Sequence, residues 1–317
     1  MLPSLSRKVV IVGAGNVGST YAYSLAQKGI AEEIAIIDTN QELVKGQVLD
    51  LVHGAPYYPS VKIIIGDKSD YKDARVIVIT AGEKQKPGQS RLELLQNNVK
   101  IIEGIVTDIV EKNSNAILII VSNPVDVLTY FAWKKSGWPR QRVIGSGTVL
   151  DSARLRYLLG DYCNVDVKNV HAYIIGEHGD SEFAAWSMCH IAGIPLAEFL
   201  QLKGKKKQIE ADKKRIEKLV RDSAYHIIDY KGATYYAVGL ALVRITESIL
   251  RNERSVLSVS VYLDGEYGIS GVCLGVPCLL SAQGAEEIIQ KKLSANEQIS
   301  LERSAKLLKS SIKQVGN

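Results

Sequence analysis

Short apolar runs punctuate the first half of the chain: residues 8–12 (KVVIV), 33–37 (EIAII), 61–65, 76–80 and 116–121 (AILIIV). Each has the length of a strand, and none alternates cleanly between apolar and polar positions. Strands apolar on both faces belong in a parallel sheet covered by helices on both sides. A helix-like stretch at 19–28 separates the first two runs. Alternating β and α elements predict a doubly wound α/β fold. Beyond about Val143 the pattern changes. Helical stretches at 151–159, 205–229, 236–251 and 297–313 mix with strand-like ones at 171–175 and 256–263, which is α+β in character. The sequence therefore predicts a dinucleotide-fold domain over 1–146 and an α+β domain over 147–317.

The 317-residue length is compatible with two domains. At 46% hydrophobic and 23% charged residues the composition is that of a globular chain, not of a disordered one. The longest apolar runs fall far short of the roughly 18–20 residues that span a bilayer, so no membrane span is expected. The net charge is +5, with much of the excess in residues 202–221. That segment has no aromatic residue for base stacking. Its Ile209, Ile216, Leu219 and Val220, continued by Ile227 and Ile228, fit one helix face, so a solvated amphipathic helix is expected there, not a nucleic-acid surface. The four cysteines form no CxxC pair, and the five histidines lack ligand spacing, so neither a disulfide framework nor a metal site is expected. The first ten residues contain no apolar signal-peptide core. The expectation is a cytoplasmic protein with reduced thiols.

Gly13-Ala14-Gly15-Asn16-Val17-Gly18 matches GxGxxG between a strand and a helix, the context that gives this weak motif meaning. Gly13 permits the tight turn, Gly15 lets backbone approach a pyrophosphate, and Gly18 lets the helix pack on the strand. Free N–H groups at the helix start attract phosphate. Asp38 ends the next strand, where a carboxylate can bind a ribose diol and repel a 2′-phosphate. NAD is therefore favoured over NADP, while the motif alone leaves flavin open.

Four further polar segments follow apolar strands or open helices. They are QKPGQSR at 85–91, SNPVD at 122–126, DSAR at 151–154 and GEHGD at 176–180. Taken singly, each reads equally as a surface turn, a strand-closing turn, a helix cap or a loop histidine. Taken together, and in order with GAGNVG, Asp38 and KGATYY at 231–236, they resemble the lactate/malate dehydrogenase family over most of the chain.

The resemblance implies a Rossmann domain followed by a catalytic domain, NAD as cofactor, and hydride transfer to or from a small 2-hydroxy acid. It implies that His178 is the proton donor–acceptor and Asp151 its carboxylate partner. Arg154 is implied to clamp the substrate carboxylate, and Arg91, on a closing loop, to polarise the carbonyl. Asn123 would hydrogen-bond the substrate oxygen, and Thr234 would wall the pocket. The cofactor set is Gly13, Gly15, Val17, Gly18, Asp38, Gly82, Val121, Asn123 and Ser146.

Gln85 bears on the substrate. Malate dehydrogenases of the family carry an arginine at the matching position, which pairs with a second carboxylate. A neutral Gln85 leaves such a charge uncompensated in a closed site, so pyruvate and L-lactate are expected, with malate or another 2-hydroxy acid as the alternative. Leu43 and Lys68 depart from residues common in bacterial members, both on the cofactor's periphery. Arg156 and His171 match positions that bind fructose 1,6-bisphosphate in allosteric bacterial members. The resemblance implies activation by that effector, although Arg156 could equally pair with a carboxylate and His171 be a strand residue, and it implies a homotetramer, with a dimer as the alternative. A catalytically silent NAD-binding relative is disfavoured by the intact His178, Asp151, Arg154 and Arg91. A serine hydrolase is disfavoured because no GxSxG elbow is present.

Overall fold

The computed structural model describes residues 7–83, 88–204 and 209–316. The first half lays down β1 (Lys8–Val12), α1 (Asn16–Lys28), β2 (Glu33–Ile37), α2 (Gln41–His53), β3 (Lys62–Ile65), β4 (Val76–Ile79), α3 (Arg91–Glu111), β5 (Ile117–Ile120), α4 (Val125–Ser136) and β6 (Val143–Gly145). These six strands are parallel, in the order β3-β2-β1-β4-β5-β6. Every residue of β1, β4 and β5 is buried, which is why these strands read as unbroken apolar runs. The order reverses between β1 and β4. In such sheets ligands bind outside the carboxyl ends of the strands at that switch point.

The second half contributes α5 (Val149–Cys163), the short strands β7 (Val170–His171), β8 (Ile174–Ile175), β9 (Phe183–Ala184), β10 (His190–Ile191) and β11 (Ile194–Pro195), then α6 (Leu196–Leu202), α7 (Ile209–Lys231), α8 (Tyr236–Leu250), β12 (Ser255–Asp264), β13 (Ser270–Ser281), β14 (Gly284–Ile288) and α9 (Ala295–Gly316). β12 joins the parallel sheet by pairing Ser260 with Gly145, and β13 and β14 extend it to nine strands. The large core beneath this sheet draws on both halves of the chain, while a smaller core gathers Leu155, Leu159, Ile174, Ile216 and Val220.

Two expectations are modified. The strand expected over 171–175 is split. β7 pairs with β10 and β8 with β9, because buried hydroxyls satisfy the backbone at Ile174. Its N–H donates to Ser152 Oγ at 2.9 Å, and its carbonyl accepts from Thr148 Oγ1 at 2.6 Å and Ser258 Oγ at 2.8 Å. The basic helix α7 buries Ile216 and Val220 but leaves Leu219 and Ile228 exposed. The first residues expected for it, 205–208, lie outside the described residues.

Candidate active site

The carboxyl ends of the parallel strands bring the sequence-predicted residues to one edge of the sheet. At β1 the chain turns through Gly13, whose φ of +113° suits glycine, and its N–H donates to Ile37 O at 2.7 Å. Gly18 packs so closely that a Cβ there would meet the Gly13 carbonyl oxygen at 1.8 Å. At Gly15, by contrast, no neighbouring atom lies within 4 Å of where a Cβ would stand. α1 begins there with no side-chain cap, so the positive end of the helix faces open space. Asp38 follows β2. Its Oδ2 accepts from Ala14 N–H at 2.7 Å and its Oδ1 from Asn40 N–H at 2.9 Å, which ties the carboxylate to the glycine turn.

Gly13, Gly15, Val17, Gly18, Asp38, Gly82 and Thr234 line one cleft of about 1000 Å³. That is at the top of the roughly 300–1,000 Å³ range of small-molecule sites. An uncapped helix start, an open backbone at Gly15 and a fixed carboxylate fit a dinucleotide. Val121, Asn123 and Ser146 are not part of this lining, but they continue the same sheet edge. Val121 N–H donates to Ile79 O at 2.9 Å and Ser146 N–H to Ile120 O at 2.8 Å. The buried Asn98 of α3 joins two of the loops. Its Oδ1 accepts from Glu83 N–H at 2.7 Å, and its Nδ2 donates to Asn123 O at 3.3 Å.

The turn holding Asn123 leads directly to the acid–base residues. Asp126, in the first turn of α4 and 2% exposed, accepts the His178 backbone N–H at 2.7 Å and the Ser260 hydroxyl at 2.5 Å. Burial pushes its carboxyl up to about 6 against those two hydrogen bonds. The loop reaches His178 from Ile174, whose backbone is held by the hydroxyls of Thr148, Ser152 and Ser258, through Gly176, which forms an antiparallel bridge with Gly275. His178 Nδ1 is 2.7 Å from Asp151 Oδ2, and Arg154 Nη1 donates to Asp151 Oδ1 at 2.7 Å. Asp151 is 1% exposed and lies in the first turn of α5, with Arg154 one turn later. Burial works against the Asp151 charge, but His178 and then Arg154 outweigh it and hold the carboxyl below its ordinary range. Burial likewise opposes the imidazolium of His178. The Asp151 carboxylate overcomes it, with lesser help from Glu182 and Asp126, and the imidazole is raised to about 9. His178 Nε2 makes no hydrogen bond among the described residues. The arrangement is a charged imidazole with a fixed inner nitrogen and an available outer one, beside a guanidinium with further N–H groups to offer.

Residues 7–145 match the family model for the lactate/malate dehydrogenase NAD binding domain, and residues 148–317 match that for the lactate/malate dehydrogenase alpha/beta C-terminal domain. The chain belongs to the lactate/malate dehydrogenase family. It is an NAD-dependent oxidoreductase. The chain is 57% identical over 303 residues to an L-lactate dehydrogenase of Treponema denticola, covering 96% of each. It is 49% identical to an L-lactate dehydrogenase 2 of Bacillus cereus, over 95% of this chain and 96% of that one. Among solved structures it is similar to the minor L-lactate dehydrogenase of Enterococcus mundtii in its ligands-bound form. The TM-score is 0.95 at 42% identity, over 98% of this chain and 99% of the other.

Within this dehydrogenase, Arg91 opens α3 just after Ser90, whose capping box with Glu93 fixes the helix start, and its side chain is exposed. Gln85 lies outside the described residues. Arg156 and His171 fall away from the cleft. Arg156 Nε donates at 3.2 Å to the carbonyl of Ala172, the neighbour of exposed His171. Asn98, Asp126 and Glu182 were not singled out as site residues from the sequence. Asp126 stood within the SNPVD segment. Glu182, four residues after His178, is 5% exposed, and no local pattern marks it. Among the described residues, no helix is long and apolar enough to cross a membrane.

Proposed function

We propose that this chain is an L-lactate dehydrogenase, interconverting pyruvate and L-lactate with NADH and NAD. The observation that carries the reading is the His178–Asp151–Arg154 cluster, which offers a proton and a carboxylate clamp side by side. In the reductive direction the His178 imidazolium gives its Nε2 proton to the carbonyl oxygen of pyruvate. Asp151 keeps the positive charge on the ring and holds its orientation. Arg154, fixed by Asp151 through one nitrogen, presents its remaining N–H groups to the substrate carboxylate. Arg91 polarises the carbonyl from the rim, Asn123 hydrogen-bonds its oxygen, and Thr234 walls the pocket. The dinucleotide, held by Gly13, Gly15, Val17, Gly18 and Asp38, supplies or accepts the hydride when bound. Gly82, Val121, Asn123 and Ser146 would hold its nicotinamide end.

The preference for pyruvate over oxaloacetate rests on the neutral Gln85, and the names of the relatives support it. The same reading divides the chain into a dinucleotide domain over 1–146 and a substrate domain over 147–317. It carries a cytoplasmic homotetramer that reoxidises NADH in fermentation after glycolysis, with fructose 1,6-bisphosphate acting at Arg156 and His171. The bisphosphate would bind that cationic pair and favour the active assembly. The direct test is His178→Asn. Pyruvate-dependent NADH oxidation is expected to vanish while NADH still quenches or shifts its fluorescence on binding. Retained turnover would remove His178 from the chemistry.

A further inference from the structure

Glu182 sits beside the acid–base pair, and the mechanism above assigns it no part. Glu182 is 5% exposed as a residue, and no side-chain hydrogen bond ties its carboxyl group to another described residue. The loop turns back after His178, with the Glu182 N–H donating to Gly179 O at 3.1 Å. This turn brings Glu182 to the pair, so that ligand atoms of Asp151, His178 and Glu182 all lie within 4.8 Å of one another. From α5 it faces Asp151 and Arg154, and from α7 it faces Arg221, whose Nη1 reaches the Glu182 carbonyl at 3.5 Å. Asp126 of α4 faces the same imidazole. The other nearby acids have partners of their own. Glu217 of α7 accepts from Ala184 N–H at 3.0 Å, Asp180 accepts from Tyr225 at 2.7 Å, and Glu177 accepts from Ser181.

Two carboxyl groups this close in a buried site do not both ionise at neutral pH. Asp151 has a cationic group on each of its oxygens, so the charge stays there and Glu182 keeps its proton. Burial, and then Asp151, push Glu182 up to about 9, the value that His178 also reaches. Groups this close influence each other's proton loss and titrate as a pair. When one proton leaves, the pair can hold a neutral imidazole with a protonated Glu182, or an imidazolium with an ionised Glu182. The attraction between imidazolium and carboxylate favours the second form, and burial and the repulsion from Asp151 delay it to pH above neutrality.

We propose that Glu182 is a positioning residue of this site, acting on proton transfer through the His178–Asp151 pair and extending the imidazolium form of His178 to higher pH. The inference rests on His178 as the proton donor. Below its own ionisation Glu182 is neutral and leaves the substrate carboxylate unopposed at Arg154. Above it, the new negative charge holds the proton on His178.

The test is a pH titration of the His178 imidazole by NMR in the full chain without substrate, for the wild type, Glu182→Gln and Glu182→Asp. Glutamine keeps the shape and cannot ionise. Its His178 midpoint is expected to fall by about one pH unit, the scale at which groups titrate as a coupled pair. Aspartate is expected to recover part of that shift. The alkaline limb of kcat/KM for pyruvate reduction should move in the same direction. Superimposable titrations in wild type and Glu182→Gln would overturn the proposal, even if the variant were slower. Should the glutamine chain fail to fold, Glu182→Ala decides, since an alanine cannot ionise and an unmoved midpoint there also overturns it. If the wild type reduces no pyruvate, the functional reading fails, and the NMR titration still decides the role of Glu182.

Discussion

Replacing Asp151 with asparagine removes one charge and almost no volume, and its effect can be worked out from the site. In the wild type the imidazole stands at about 9 against an ordinary 6.5, with the carboxylate overcoming the effect of burial. Losing that stabilisation costs the imidazolium about 3 kcal/mol, at about 1.4 kcal/mol per pH unit. At pH 7.5 the ring would then be protonated in about one molecule in ten, and burial lowers the fraction further. The Arg154 guanidinium demands the remaining amide oxygen, which turns the amide NH2 toward His178 Nδ1 and disfavours the imidazolium again. Pyruvate-dependent NADH oxidation at pH 7.5 should therefore fall at least tenfold in kcat/KM. The loss should shrink as the pH is lowered toward 5.5, because acid restores the proton donor. In the wild type, reduction should persist through neutrality and decline as the pH rises through about 9, while L-lactate oxidation rises over the same range. A variant whose profile is lowered uniformly, with its alkaline limb in place, would refute the electrostatic account. The same pair bears on folding. Because the folded imidazole titrates above its unfolded value, its stabilisation is complete below about 6.5 and is lost as the pH passes about 9.

The dinucleotide site and the loops behind it make separable predictions. Gly15→Ala should leave the melting temperature nearly unchanged, since no atom lies near the new methyl group, yet raise the NADH Kd at least tenfold by blocking backbone approach to the pyrophosphate. Gly18→Ala should do both, because its methyl group meets the Gly13 carbonyl; overpacking of this kind costs about 1–3 kcal/mol or more, read as a lower Tm. Asp38→Ser should narrow the preference for NADH over NADPH in steady-state kinetics, and an unchanged ratio would remove Asp38 from cofactor choice. Asn98→Ala removes the hydrogen bonds to the Glu83 N–H and the Asn123 carbonyl, so chemical denaturation should show a loss of about 1–3 kcal/mol.

What was legible in the sequence was local. The glycine turn, Asp38 and the buried parallel strands each declare themselves within a few residues, because backbone conformation and two-sided burial constrain neighbouring positions. β13 was harder to see. Its Gly271, Gly275 and Pro277 weaken the strand pattern, yet it lies inside the sheet between β12 and β14. The acid–base pair joins residues 27 positions apart, and only the ordered set of motifs, through its family resemblance, brought them together. Asp126 and Glu182 escaped notice for the same reason. Their significance is burial beside His178, and burial of a carboxylate depends on α4, α5, α7 and β12 meeting in space. The split of the expected strand at 171–175 is likewise non-local, since the hydroxyls that satisfy Ile174 come from the N-terminal turn of α5 and from β12.

The measurement that tests the central claim most directly is NADH oxidation by the purified chain with pyruvate and, in parallel, with oxaloacetate at neutral pH. The account predicts a strong preference for pyruvate, and Gln85→Arg should move that preference toward oxaloacetate. Preferential use of oxaloacetate by the wild-type chain would contradict it, because the neutral Gln85 supplies no cation for a second carboxylate.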